Sequence, residues 1–116
     1  MRLIFVFGSN LAGRHGKGAA LDAAKYYNAI YGQGEGLQGD AYAIPTKDAA
    51  LKPLPLGAIE INIRRFLSHA YGNPKNYYMV TPIGTGLAGY SKREIAGIFR
   101  SCTIPENVLF TKQWFE

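Results

Sequence analysis

The chain carries a single cysteine, Cys102, among 116 residues. An internal disulfide is thereby excluded, and the composition fits a reducing compartment, so the expected location is cytoplasmic. Its place in an apolar helix marks Cys102 as a core residue. No run approaches the roughly 18 apolar residues of a membrane span, and no membrane partner is expected. The opening Met1–Phe7 is too short for a signal peptide and leads straight into a glycine-rich segment. No group of histidine, cysteine and carboxylate residues has metal-ligand spacing, so neither a metal nor a cofactor is expected. Gly-x-Ser-x-Gly and Cys/His signatures of nucleophilic hydrolases are absent as well. There is no basic tail, internal repeat, linker or low-complexity segment.

What is present is an apolar content of 47%, ample for one core, and a length that predicts one domain over residues 1–116. Thirteen Lys and Arg against eight Asp and Glu leave a net charge of +5. That charge suits acidic ligands, either phosphates or nucleic acid. Only Arg64-Arg65 and Lys92-Arg93 form basic pairs, so charge alone gives nucleic acid weak support.

Fourteen glycines are the other conspicuous feature. The stretch Thr81-Pro82-Ile83-Gly84-Thr85-Gly86-Leu87-Ala88-Gly89-Tyr90 follows the apolar run Tyr77–Val80 and precedes Ser91-Lys92-Arg93-Glu94. The last four have the Ser-x-x-Glu spacing of a helix capping box. Strand, glycine loop and helix N-terminus in that order read as a phosphate cradle, in which backbone N–H groups and the helix dipole face an anion. The Gly-Lys-Ser/Thr ending of a P-loop is missing. Gly84–Gly89 satisfies G-x-G-x-x-G, yet no acidic residue stands at a strand end some 20 residues on, as a dinucleotide unit requires.

A second unit of this kind opens the chain. Leu3–Phe7 reads as a strand covered on both faces. Gly8–Gly18 follows as a glycine loop, and Ala19–Tyr31 as a helix ended by Gly32. Gly32–Asp40 reads as an exposed loop and Ala41–Pro45 as a short strand stopped by its proline. Thr46-Lys47-Asp48 lies just past that strand. A helix is predicted over Leu56–Tyr71, ended by Gly72-Asn73-Pro74, then a strand over Tyr77–Thr81, a helix over Ser91–Cys102 and a strand over Asn107–Phe110. Alternating strands and helices predict an α/β fold: a three-layer α/β/α arrangement whose central sheet is mostly parallel. Ligands of such sheets bind beyond the carboxyl ends of the strands. Gly8–Gly18, Thr46–Asp48 and Ile83–Tyr90 all belong there.

With these segments in place the chain resembles a macrodomain, closest to the small branch that includes the terminal ADP-ribose protein glycohydrolases. The resemblance spans nearly the whole chain. It rests on Gly16-Lys17-Gly18-Ala19-Ala20, on Ile44-Pro45-Thr46-Lys47 and on Thr81–Tyr90, which is similar to the family's proline–isoleucine–glycine–cysteine–glycine–leucine loop with Thr85 at the cysteine. The resemblance implies an ADP-ribose site. Ile83, Gly84, Thr85, Gly86, Leu87, Ala88, Gly89 and Tyr90 would wrap the diphosphate. Asn10, with Gly8 and Ser9 before it, and Gly16, Lys17, Gly18 and Ala19 would hold the distal ribose. Thr46 would join them, and Phe110 would stack near the adenine. In the glycohydrolase branch a lysine at the position of Lys47 attacks the anomeric carbon, assisted by an acidic residue in the late glycine loop. Ala88 occupies that acidic position here, and the aspartate that reads adenine in many macrodomains has no counterpart.

The candidate catalytic residues are therefore Lys47, His15 and Asp48. Lys47 is either a nucleophile in a dry pocket or a counter-charge for phosphate. His15 is a general acid/base, a phosphate ligand or a surface residue. Asp48 either replaces the missing acid or shapes a turn. Asn10 donates to and accepts from ribose hydroxyls or caps its own turn. The function expected is binding of ADP-ribose or a related phosphorylated ribose nucleotide. Hydrolysis of an ADP-ribose derivative, with removal from a macromolecule or processing of the 1″-phosphate as its two forms, is expected with it. A non-catalytic reader of such nucleotides is the alternative, and a basic nucleic-acid module the third reading.

Overall fold

The computed structural model describes residues 1 to 116. Its elements are β1 (Arg2–Asn10), α1 (Gly18–Tyr26), β2 (Gly36–Gln38), β3 (Ala41–Lys47), α2 (Leu56–Tyr71), β4 (Asn76–Val80), α3 (Lys92–Arg100) and β5 (Val108–Phe110), with a short 3₁₀ turn over Lys112–Phe115. The sheet order is β2-β3-β1-β4-β5. β1 pairs in parallel with β3 and β4, and β4 with β5, while β2 runs antiparallel along the edge of β3. The predicted α/β class and mostly parallel sheet are the observed ones.

Alternation along the strands sets the layers. Ile4 and Val6 of β1, Tyr42 and Ile44 of β3, Tyr78 and Val80 of β4 and Val108 of β5 point to one face. There they meet Ile59, Ile63, Phe66 and Leu67 of α2 and Ile95 and Phe99 of α3. Phe7, Ala41 and Ala43 point to the other face and meet Ala20 and Ala23 of α1. Alanines on both sides of that second contact let α1 lie close to the sheet. The far half of this face, with Leu3, Tyr77 and Leu109, has no helix over it and is half exposed.

Several boundaries differ from the sequence expectation, each for a local reason. β1 continues through Gly8, Ser9 and Asn10, because a glycine at position 8 lets the loop after β4 approach. A Cβ there would lie 3.2 Å from the Gly84 nitrogen. α1 ends five residues early: Asn28 takes φ +61°, and Tyr27 turns back to stack on Phe5 with ring centroids 4.3 Å apart. The segment after it is no open loop, since β2 forms there and buries Gln38. Pro45 does not stop β3. It pairs opposite Ser9, where the register with β1 shifts before Asn10, so the absent proline N–H falls at an irregularity of the ladder. Cys102 lies two residues beyond α3, partly buried against the larger core.

Candidate functional site

Because β1, β3, β4 and β5 all run the same way, their carboxyl ends share one edge of the sheet. A cleft of about 1420 Å³ opens there, walled by Gly8–Asn10, Arg14, Gly16–Ala20, Thr46, Lys47 and Thr81–Ala88. Phe5, Asp22, Tyr31, Leu51, Lys92, Thr111, Gln113 and Glu116 complete it. A second cavity, about 890 Å³, lies at the opposite edge between the end of α2 and Cys102–Asn107. It contains none of the candidate catalytic or ligand-binding residues named from the sequence.

The loop after β4 is braced from within. The Thr81 hydroxyl donates to the Val6 carbonyl at 2.7 Å and the Thr85 hydroxyl to the Pro82 carbonyl at 2.7 Å. Tyr90 N–H donates to the Gly84 carbonyl and Gly89 N–H to the Gly86 carbonyl, both at 3.0 Å. Gly84 takes φ +72° to make this turn. Between these fixed points the N–H groups of Gly84, Thr85, Gly86, Leu87 and Ala88 donate to no acceptor in the protein. All five residues line the cleft. Successive unpaired N–H groups around a concavity form an anion-binding nest.

The helix behind the loop contributes less than expected. Ser91 and Glu94 do form the capping box: the Glu94 N–H donates to the Ser91 hydroxyl and the Ser91 N–H to the Glu94 carboxylate. That carboxylate already occupies the N-terminus of α3, so the loop rather than the α3 dipole is the free anion holder. The first helix presents the reverse case. Lys17 at its N-cap makes no side-chain cap bond, and no acid stands in its first turn. Gly16–Ala20 border the cleft with that uncapped end. Two backbone cradles thus face one space, and Arg14 and Lys17 add positive charge beside them.

The strand ends form the floor. Ser9 donates from its hydroxyl to the Gly34 carbonyl, and the buried Thr46 hydroxyl donates to the Ser9 carbonyl at 3.3 Å. The Asn10 amide accepts from Arg14 N–H at 2.9 Å and donates to the Arg14 carbonyl at 3.0 Å. It therefore caps its own loop and positions Arg14. Lys47 is half-buried on the wall and belongs to none of the three ion pairs, which join Arg2 to Asp40, Arg64 to Glu60 and Arg65 to Glu35. Ala88, at the position where an acid was expected, is buried in the wall.

Five residues named from the sequence stand outside this wall. His15 is 1% exposed, packed edge-on against Phe7 at 5.1 Å and near Tyr31 at 6.2 Å. Its Nε2 lies 3.1 Å from the Gln38 Oε1. That oxygen also accepts from Ile30 N–H, and the Gln38 amide donates to the Gln33 and Gly36 carbonyls. Nε2 is accordingly the protonated nitrogen, and Nδ1 is buried without a partner. This is a core histidine that fastens the Gln38 segment, not a proton carrier at the cleft. The Asp48 carboxylate is taken up by the N–H groups of Ala50 and Lys52, both at 2.9 Å, and shapes a turn. Phe110 packs on Phe99 and Trp114 in the core. The Tyr90 hydroxyl donates to the Leu54 carbonyl, and Gly89 is used in the loop's internal bond.

Sequence reasoning missed Leu51, Asp22, Thr111, Gln113 and Glu116 as wall residues. Thr111 and Gln113 follow the end of β5, so the carboxyl-edge rule would have found them had it been applied to the last strand. Leu51 has no sequence signal of its own.

Among solved structures, the macrodomain of Mycobacterium tuberculosis DarG matches with a TM-score of 0.65 and 18% identity, over 92% of this chain and 86% of that one. The fold is a macrodomain fold. A protein of unknown function from Bacteroides thetaiotaomicron matches with a TM-score of 0.68 and 16% identity, over 95% and 85% of the two chains. Thermosipho africanus DarTG in complex with ADP-ribose matches with a TM-score of 0.56 and 17% identity, over 94% of this chain and 38% of that one. No family model and no curated protein sequence matches. In this macrodomain fold no helix is long and apolar enough to cross a membrane.

Proposed function

We propose that the chain binds ADP-ribose, free or attached to a macromolecule, in the cleft at the carboxyl edge of the sheet. The observation that carries this reading is the run of five unpaired N–H groups at Gly84–Ala88, facing the uncapped end of α1. Such a pair of cradles suits the two linked anions of a diphosphate better than a single phosphate. Thermosipho africanus DarTG, similar in fold over 38% of its chain and solved in complex with ADP-ribose, supports the choice of ligand.

Turnover is the further part of the proposal. Lys47 stands at the cleft wall without an ion-pair partner. Its amine attacks the anomeric carbon of the distal ribose as the bond to the linked group breaks, and the proton shed by the substituted nitrogen passes through water to the departing group. A second water then cleaves the nitrogen–carbon bond, releasing ADP-ribose and the free lysine. The carboxylates on the wall are Asp22 and Glu116, neither of which belongs to the hairpin that carries Lys47. This is the observation that favours the second reading, a protein that holds ADP-ribose without cleaving its derivatives.

Calorimetric titration with ADP-ribose and ADP, followed by product analysis on an ADP-ribosylated protein and on ADP-ribose-1″-phosphate, tests both. Binding of ADP-ribose is expected. Lys47→Ala is expected to retain binding and to lose at least 100-fold in turnover. Binding with no product from either substrate leaves the reader. A wild-type protein that binds no ADP-ribose, yet binds oligonucleotides with an affinity that falls steeply with salt, replaces both with a nucleic-acid module.

A further inference from the structure

The hairpin after β3 contains a residue whose backbone no packing requirement explains. Leu51 has φ +67°, in the left-handed region that glycine and asparagine tolerate and bulky side chains do not. The hairpin is otherwise well made. Leu51 N–H donates to the Asp48 carbonyl at 3.0 Å, Asp48 N–H to the Lys52 carbonyl at 2.8 Å and Leu54 N–H to the Thr46 carbonyl at 2.9 Å. Short hairpin tips of this kind place their last residue in the left-handed region, and glycine is the usual occupant. Leucine stands here instead. It is 43% exposed and belongs to neither hydrophobic cluster, so the core gains little from it. Leu51 lines the cleft, as does Lys47 at the base of the same hairpin.

Backbone strain kept at a cleft without a packing gain points to a ligand. We propose that Leu51 is a recognition residue: its isobutyl group covers the carbon face of a pentose lying between Lys47 and the loop Ile83–Ala88. This rests on the ADP-ribose reading and names the part of that ligand concerned, the ribose beyond the diphosphate. The strand order supports the placement. The anion nest follows β4, β1 lies next to it, and β3 with its hairpin lies one strand further. A group attached to a diphosphate in the nest and directed across β1 arrives under Leu51. An apolar side chain there serves C–H groups and leaves hydroxyls to the polar floor.

The test compares wild type, Leu51→Gly and Leu51→Asn by melting temperature and by calorimetric titration with ADP-ribose and with ADP. Both substitutions accept the left-handed backbone, so the melting temperature is expected to stay level or to rise by about 1–4 °C. Affinity for ADP-ribose is expected to fall about tenfold, the scale of one lost leucine contact. Affinity for ADP, which lacks that ribose, is expected to be unchanged. A fall in melting temperature would show that Leu51 serves the fold, and would overturn the proposal. Equal affinities for ADP-ribose in all three proteins, or an equal loss for ADP, overturns it while leaving the ADP-ribose reading intact. A wild type that binds neither ligand overturns that reading and this one together.

Discussion

Gly84 and Gly86 sit two residues apart in the same loop, yet the structure asks different things of them. Gly84 has φ +72°, and a Cβ there would lie 3.2 Å from Ile95 Cδ1 and 3.5 Å from Thr46 Cγ2. Alanine at 84 costs about 1–2 kcal/mol for its left-handed backbone. The end of the Ile95 side chain yields the few tenths of an ångström at little further cost. The stiffer unfolded chain offsets about 0.4–1 kcal/mol of this. The net is a destabilisation of about 1 kcal/mol, or a melting temperature lower by about 4–8 °C. Gly86 lies outside the left-handed region and has no atom within 4 Å of a built Cβ. Only the unfolded-state effect applies there, so Gly86→Ala is expected to raise stability by about 0.4–1 kcal/mol. Gly86→Glu folds as well, but its carboxylate enters the space in front of the unpaired N–H groups and repels a diphosphate. Its affinity for ADP-ribose is expected to drop at least about 30-fold, or about 2 kcal/mol. Thermal melts of wild type and the three variants, with titration of each, decide the matter. A Gly86→Ala protein that melts below wild type would refute the backbone reasoning, and a Gly86→Glu protein that binds ADP-ribose normally would refute the assignment of this loop to the ligand.

His15→Ala removes a ring packed against Phe7 and Tyr31 together with its hydrogen bond to Gln38; a loss of about 3 kcal/mol is expected in urea denaturation. Because Gln38 keeps its bond from Ile30, the segment should hold and the folded variant should still bind ADP-ribose. Burial lowers the pKa of His69 below the usual histidine value, so on acidification the unfolded chain takes up the proton first. The stability His69 contributes is present above about pH 6.5 and is lost as the pH falls below it; melting between pH 5 and 7.5 should fall more steeply for wild type than for His69→Gln. Tyr42, desolvated in the core and facing Glu35, has its pKa pushed up to about 12. The unfolded chain ionises first near pH 10, so this contribution is present below about pH 10 and lost towards 12, and Tyr42→Phe should flatten the alkaline limb.

The parts of the fold that a sequence reading reached are those set by neighbours in the chain. α2 has its predicted bounds because its apolar face repeats at helical spacing and Gly72-Asn73-Pro74 follows at once. The Ser91–Glu94 capping box is likewise a local contract between residues three apart. What was missed depends on residues far away. β2 exists because the start of β3 offers it an edge, and Gln38 is buried because His15 and Ile30 reach it from elsewhere. Glycines beside His15 suggested exposure, whereas Phe7 and Tyr31 enclose it. Of the site, the glycine loops, Thr46 and Lys47 were legible from strand ends alone. The role of Asp48 was not, since both a catalytic and a turn-forming aspartate look alike until the N–H groups of Ala50 and Lys52 are seen to claim it.

The parallel sheet also gives the two chain ends unlike neighbourhoods. Arg2 begins β1 at the edge remote from the cleft, and nine residues of strand, about 30 Å, separate that edge from Asn10. Glu116 is on the cleft wall, and the Lys92 ammonium grips the carbonyls of Gln113 and Glu116 to keep the final turn there. A polypeptide joined after Glu116 would start at the mouth, where it could shade the opening or hand over a modified side chain. One joined before Met1 would start on the far side and leave the opening clear. Fusion partners, purification handles and immobilisation surfaces for the binding experiments therefore belong at the amino terminus.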